Sequence, residues 1–380
     1  MRKSVLVIAG EISGDMHAAR LVQAVRAKNP DIDFWGIGGD RMREAGVETL
    51  YDVRDMAVLG LAEVLRRYGF FKKVFDCMVG LARERRPDLV LLVDYPGFNL
   101  RLAQKVHAMG IKVVYYICPQ VWAWHRSRIP KMARMVDRLL VIFPFEVDVF
   151  AGTGLRTDFV GHPLVGEARR VLESPLKALP WPGEPRVALL PGSRRQEIER
   201  ILPVMWAAAA RLEKDVPGIG FVIAAPSEEV AGLVRERLAS LPAGPSRVEV
   251  LAGETRQVLR QAKAAMVASG TATVETALMG CPMLVVYKTA LLTYWIGRQL
   301  IRVPFLGMVN IVAGRALCPE FIQGAATPEA LAEAIKPLLS DTPQRIEMVA
   351  GLRQVAQALG REHGDELAGD ILLEELGSKP

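Results

Sequence analysis

A chain of 380 residues, 51% hydrophobic and 24% charged, is too apolar for a disordered protein and long for a single core, so two domains are expected. The net charge of +6 is mild for this length and shows no nucleic-acid-binding bias; it fits an anionic substrate, an anionic membrane surface or simple solubility. Cys77, Cys118, Cys281 and Cys318 are scattered without CxxC spacing, and the N-terminus runs into a strand without a signal-peptide pattern, which points to a reducing cytoplasm. No window of about 18 uncharged apolar residues offers a transmembrane helix, so membrane contact is expected to be peripheral.

Ser4 to Ala9 reads as a strand, Gly10-Glu11-Ile12-Ser13-Gly14-Asp15 as a loop, and Met16 to Val25 as a helix. The loop lacks the GxGxxG spacing of a dinucleotide site. Phe34 to Ile37, Gly38-Gly39 and Asp40 to Ala45 repeat the rhythm, and Asp31-Ile32-Asp33 precedes its strand, where a DxD reads as surface charge. Gly60 to Arg86 is helical by spacing. Its aromatic and basic residues interleave, Phe70 and Phe71 among them, which suits the edge of an anionic bilayer; the alternative turns Phe71 and Phe75 to the core. Leu89 to Val93 reads as a buried parallel strand with Asp94-Tyr95-Pro96-Gly97-Phe98-Asn99 at its carboxyl end, where α/β sheets place their chemistry. Lys112 to Ile117 is the next strand, followed by a loop carrying Gln120, Trp122, Trp124 and His125. Exposed tryptophans there would offer a surface to a sugar ring or acyl chain; buried ones would be packing. Arg138 to Phe143 and Thr157 to Val160 complete the half, and His162 beside Pro163 reads as a turn residue.

Val165 to Pro185 is polar and proline-bearing, the composition of a connection. The second half opens with the strand Arg186 to Leu190 and the loop Gly192-Ser193-Arg194 entering a helix. Glycine, hydroxyl and arginine at a helix start suit an anion, without the lysine and second glycine of a P-loop. Gly220 to Ala225, Arg247 to Leu251 and Ala264 to Ala268 are further strands. The last runs into Ser269-Gly270-Thr271 and a helix stopped by Gly280 and Pro282. The amides of this turn suit a diphosphate, and Glu275, one helical turn after Thr271, can accept hydrogen bonds from a ribose. After the strand Pro282 to Tyr287, the stretch Lys288 to Leu306, with Trp295 and Arg298, is a second candidate for the membrane edge. Asn310 to Arg315 and amphipathic helices over Pro328 to Leu339 and Ile346 to Leu373 follow.

These elements predict an α/β chain of two Rossmann-like domains facing a central cleft: residues 1–165 on the acceptor side, a linker at 166–185, residues 186–345 on the nucleotide-sugar donor side, and C-terminal helices from 346 to 380. No metal-ligand spacing appears, so neither metal nor cofactor is expected, and leaving-group charge would fall to helix amides and Arg194.

The loops Gly10 to Asp15, Asp94 to Asn99, Pro119 to Trp124, Leu189 to Arg194, Ala268 to Ala272 and Asn310 to Arg315 together resemble those of the bacterial lipid-A-disaccharide synthases, glycosyltransferases of the GT-B fold. The resemblance spans nearly the whole chain; one departure is Gly307-Met308-Val309, where some relatives carry Ser-Leu-Pro. It implies transfer of 2,3-diacylglucosamine from UDP-2,3-diacylglucosamine to 2,3-diacylglucosamine 1-phosphate, with inversion to a β-1,6 linkage. It also implies Asp94 as general base with Glu11 and Asp15 as rivals, and Ser13, Gln120, Trp122 and Trp124 at the acceptor. Gly192, Ser193, Arg194, Ser269, Gly270, Thr271, Glu275, Asn310 and Arg315 would hold the nucleotide. Acylated substrates place such an enzyme on the phospholipid surface of the inner membrane, at its cytoplasmic face, with Phe70, Phe71 and Trp295 as contacts. A homodimer stays open. A UDP-sugar 2-epimerase of the same fold and a non-catalytic nucleotide-sugar or lipid-binding protein are the rival readings.

Overall fold

A computed structural model describes residues 2–56, 67–300, 303–360 and 363–377. The chain divides into two compact units, Met1–Pro163 with Gly360–Pro380, and Leu164–Leu359.

The first unit is a parallel sheet of β1 (Ser4–Ala9), β2 (Asp33–Gly38), β3 (Glu48–Asp52), β4 (Leu89–Val93), β5 (Lys112–Tyr116), β6 (Arg138–Val141) and β7 (Arg156–Phe159). Its order is β3-β2-β1-β4-β5-β6-β7. Helices cover both faces of such a sheet, which is why its central strands are unbroken apolar runs. All five residues of β4 are buried, and Val5 to Ala9 of β1 are fully buried as well. Because the order reverses between β1 and β4, the loops leaving these two strands lie side by side at the carboxyl edge, the usual place for a ligand. Asp33 starts β2 at the opposite edge, where it pairs with Arg2 at 3.2 Å; the Asp31-Ile32-Asp33 triplet is thus surface charge remote from that point.

The second unit repeats the winding with β8 (Arg186–Leu190), β9 (Gly220–Ala225), β10 (Val248–Ala252), β11 (Ala264–Ala268), β12 (Met283–Tyr287) and β13 (Glu320–Ile322), in the order β10-β9-β8-β11-β12-β13. Its reversal lies between β8 and β11.

Two stretches differ from the simple division read from composition. Residues 166–185 are not a bare connection: the helix Leu164–Glu173 belongs to the second unit, and Arg260 donates to the carbonyls of Val171 and Ser174 at 2.7 Å. The C-terminal helices part company. Pro343–Ala358 stays with the second unit, while Gly364–Gly377 returns to the first, with Gly369 against Ala24 and Val25. There the buried Glu375 accepts from Arg138 at 3.1 Å, and Arg138 also holds Asp158.

Of the stretch Gly60 to Arg86, residues 60–66 lie outside the described residues, and Tyr68–Arg85 is helical. Phe70 and Phe71 are partly buried against the first unit's core, under the Arg67 guanidinium at 5.0 and 5.9 Å. Tyr68 is the exposed ring of this segment. In the other membrane candidate, Leu291–Leu300 is helical, Trp295 is 58% exposed, and residues 301 and 302 lie outside the described residues. Among the described residues no helix is long and apolar enough to cross a membrane.

Candidate functional site

In the first unit the register of β1 on β4, Ala9 opposite Val93, sets Gly10 to Ser13 beside Asp94 and Tyr95. The approach is close: a Cβ at Gly10 would stand 2.1 Å from the Tyr95 ring, so glycine is required there. Asp94 and Tyr95 both adopt positive φ, +45° and +49°, and Ile117 at the end of the neighbouring β5 does so at +65°. Such conformations cost roughly 1–3 kcal/mol each for non-glycine residues and gather at functional sites. The strain is held by an enclosing set of hydrogen bonds. Asp94 N donates to Tyr116 O at 3.0 Å. Its carbonyl accepts from the buried Asn99 Nδ2 at 2.8 Å and from Tyr115 Oη at 2.5 Å. Tyr95 Oη donates to Met56 O at 3.0 Å. The backbone of Asp94 is thereby fixed while its carboxyl remains for chemistry. Desolvation first, and the Glu11 carboxylate second, push that carboxyl up to about 6, against a hydrogen bond from the Tyr95 amide. A carboxylate poised near neutrality is suited to take a proton.

The other first-unit residues separate by their partners. Glu11 caps the helix Ile12–Lys28, exposed, with Ser13 exposed in its first turn. Asp15, a rival base by sequence, is buried, and its two oxygens accept the backbone amides of Gly39, Arg41 and Met42 at 2.6–3.1 Å. It holds the turn after β2. Gln120 and Trp124 are exposed, Trp124 by 50% with its ring 4.7 Å from that of His125. Trp122 is buried instead of forming a surface for the acceptor, and its indole donates to Glu146 Oε1 at 2.9 Å. Glu146 was not singled out by the sequence, where it is one of two acids, with Asp148, in the otherwise apolar stretch Ile142 to Phe150.

In the second unit Val267 of β11 lies opposite Leu190 of β8, so the loops Pro191 to Arg194 and Ser269 to Thr271 are neighbours. The first is already satisfied in part. Glu197 Oε2 accepts the amides of Ser193 at 3.1 Å and Arg194 at 3.3 Å, and its Oε1 accepts Arg194 Nη1 at 3.0 Å. Gly192, with φ +110°, leaves just the room this carboxylate needs, since a Cβ there would stand 2.5 Å from Glu197 Oε2. The Arg194 side chain is 75% exposed, and Ser193 beside it is exposed as well. At the second turn Gly270 has φ +151° and is exposed with Thr271, where the helix Thr271–Leu278 begins. Ser269 Oγ is committed to Leu306 O at 2.8 Å.

Glu275 pairs with Arg256 Nε at 2.7 Å, and Arg256 reaches on to Glu167. Desolvation raises the Glu275 carboxyl despite the opposing charge of Arg256. Asn310 is fully buried and spends its amide on the chain: Nδ2 donates to Cys318 O and Glu320 Oε1, and Oδ1 accepts Cys318 N, each at 2.8 Å. Arg315 is exposed and pairs with Glu347 at 3.2 Å. Among the described residues no group of three or more His, Cys, Asp and Glu could hold a metal ion.

A family model described as lipid-A-disaccharide synthetase matches residues 5–369. The chain is 41% identical over 381 residues to the lipid-A-disaccharide synthase of Myxococcus xanthus (strain DK1622), covering 98% of this chain and 97% of that protein. It is 42% identical over 362 residues to the lipid-A-disaccharide synthase of Anaeromyxobacter sp. (strain K), with 94% and 93% covered. Among solved structures it is similar to the UDP-GlcNAc 2-epimerase from Neisseria meningitidis bound to UDP-GlcNAc, with TM-score 0.60, 12% identity and 98% and 99% coverage. It is similar also to the spinosyn rhamnosyltransferase SpnG complexed with thymidine diphosphate, with TM-score 0.59, 16% identity and 98% and 100% coverage. These structural likenesses establish the fold, which is GT-B.

The raised carboxyl of Asp94 has a cost in stability with a definite sign. Its folded value of about 6 exceeds the ordinary 3.8, so the ionised form penalises the native state. The penalty, on the order of 2–3 kcal/mol, is complete above about pH 6 and disappears as the pH falls through about 4. Asp94→Asn is therefore expected to raise the urea midpoint at pH 7.5 and to leave it unchanged near pH 4. Equal midpoints at pH 7.5 would show that the carboxylate is solvated.

Proposed function

Since the chain belongs to the lipid-A-disaccharide synthase family, we propose that it transfers 2,3-diacylglucosamine from UDP-2,3-diacylglucosamine to 2,3-diacylglucosamine 1-phosphate, giving the β-1,6-linked disaccharide 1-phosphate and UDP. The observation that carries the mechanism is the desolvated Asp94 carboxyl on its strained turn beside Glu11.

In this reading Asp94 takes the proton of the acceptor's 6-hydroxyl as that oxygen attacks the anomeric carbon of the donor. The bond from that carbon to the UDP oxygen breaks on the opposite side, and the α-linked donor becomes a β-linked product in one displacement. Glu11 serves Asp94 through its charge, raising the base toward neutral pH. Asp15 positions the turn after β2. The charge that develops on UDP is met by the Arg194 guanidinium and by the first amides of the helix Thr271–Leu278, with Glu275 offered to the ribose once Arg256 shares it. Gly192, Ser193, Ser269 and Asn310 shape those turns, and Ser13, Gln120 and Trp124 line the acceptor side. The acylated substrates call for work at the cytoplasmic face of the inner membrane, and the exposed rings of Trp295 and Tyr68 are the contacts that suit it.

Asp94→Asn is expected to reduce turnover by about 10²-fold or more while UDP still binds; turnover near wild type would remove Asp94 from the role. The wild-type kcat/KM should fall below about pH 6, following the folded value of the base, and Glu11→Gln should move that limb to lower pH, because it removes a charge that raises Asp94. Arg194→Ala should weaken UDP binding, read by calorimetry, by about tenfold; unchanged affinity would take the diphosphate away from this loop. In sedimentation with anionic liposomes, Trp295→Ser combined with Tyr68→Ser should leave more protein in the supernatant, and equal recovery would exclude these rings as the contact.

A further inference from the structure

Glu146 is a buried acid that the transfer step does not use. It lies in the first turn of Phe145–Phe150, just past β6, and is 1% exposed. Its two oxygens face two different segments: Trp122 Nε1 donates to Oε1 at 2.9 Å, and the Phe143 amide to Oε2 at 3.2 Å. Rings enclose the pair. Trp122 meets Phe145 edge-on at 4.9 Å, Phe143 stacks on Phe145 at 5.7 Å, and His162 lies 5.1 Å from Phe143. Burial pushes the carboxyl up to about 8; the Trp122 and Phe143 hydrogen bonds oppose this and the Asp94 charge adds to it.

An aliphatic side chain would fill this volume at less cost, since an acid so desolvated works against the fold. What only an acceptor can do is fix the direction of the indole N–H. Trp122 sits in the turn Val121–Trp124 that leaves β5, and β5 lies between β4 and β6. The turn of Trp122 is therefore flanked by the Asp94 turn on one side and by Glu146 on the other. The buried Trp122 anchors a loop whose Gln120 and Trp124 are exposed.

We propose that Glu146 is a positioning residue: through the Trp122 indole it holds the loop 119–125 in register at the strand ends beside Asp94, so that the acceptor sugar meets Gln120 and Trp124 already in place. That the ligand is the acceptor sugar rests on the function proposed above; the Glu146–Trp122 coupling does not.

The test compares Glu146→Leu, Glu146→Gln and Trp122→Phe. In ¹H–¹⁵N spectra the Trp122 indole signal, identified by its loss in Trp122→Phe, should shift in Glu146→Leu and stay closer to wild type in Glu146→Gln, whose amide oxygen still accepts. The acceptor KM should rise about tenfold in Glu146→Leu and in Trp122→Phe, with UDP affinity held within about twofold and the glutamine variant recovering most of the loss. Combining Glu146→Leu with Trp122→Phe should be no worse than either alone. An unmoved indole signal, an unchanged acceptor KM in folded protein, or additive effects would each overturn the proposal. If Glu146→Leu does not fold, Trp122→Phe and Glu146→Gln decide it by whether the first raises the acceptor KM and the second does so less. Absence of transfer by the wild type would instead defeat the proposed function, and the indole signal would still decide the role of Glu146.

Discussion

The carbonyl of Asp94 is the point on which the strained turn after β4 depends. Two side chains from different elements, Asn99 of the following helix and Tyr115 of the neighbouring strand, donate to it at 2.8 and 2.5 Å. They keep two consecutive residues at positive φ, a conformation that a free chain would leave at once. Without that clamp the carboxyl would turn toward water, regain its solvation and lose the raised basicity that suits it to proton transfer. The glycine at position 10 belongs to the same device, because it makes space for the Tyr95 ring that the left-handed turn throws toward β1.

Polar residues near both switch points divide into those that face a ligand and those that build the seat. Asp15, Glu197 and Asn310 are all of a type that binds substrates, yet each is bonded to the chain itself: Asp15 by the turn after β2, Glu197 by the Ser193 and Arg194 amides, and Asn310 by Cys318 and Glu320. A buried amide left without an acceptor costs about 1–3 kcal/mol. The tight loops that bring backbone close to a ligand therefore need such acceptors of their own. The exposed candidate residues are Ser193, Arg194, Gly270, Thr271 and Arg315 in one unit and Glu11, Ser13, Gln120 and Trp124 in the other.

The inner strands and the loops at their carboxyl ends were legible in the sequence, because a parallel sheet covered on both faces demands continuous apolar runs such as Leu89–Val93 and Ala264–Ala268; the short, partly exposed strands Glu48–Asp52 and Glu320–Ile322 were not, since neither is such a run. The pairing of loops within each unit followed from the same winding. Partnership was not legible. Nothing local distinguishes Trp122, buried on Glu146, from Trp124 two residues on, which is 50% exposed, because the difference is made by a residue in a different strand's loop. Likewise the return of Gly364–Gly377 to the first unit depends on Arg138 and Glu375, 237 positions apart in sequence. The Arg256 link between Glu275 and Glu167 has the same origin.

A fold shared with a 2-epimerase and a rhamnosyltransferase does not choose between isomerisation and transfer. The choice lies in the first unit. Transfer to a hydroxyl needs a single base that is ionised at working pH yet strong enough to take a proton, together with an open surface for a second substrate. A carboxyl at about 6 on the β4 turn meets the first need, and an exposed loop after β5, anchored by a buried indole, meets the second. The two acids of this edge sit in different surroundings: the Asp94 carboxyl, partly open, is pushed up to about 6 by desolvation and by Glu11, and the Glu146 carboxyl, sealed under aromatic rings, is pushed up to about 8 by burial.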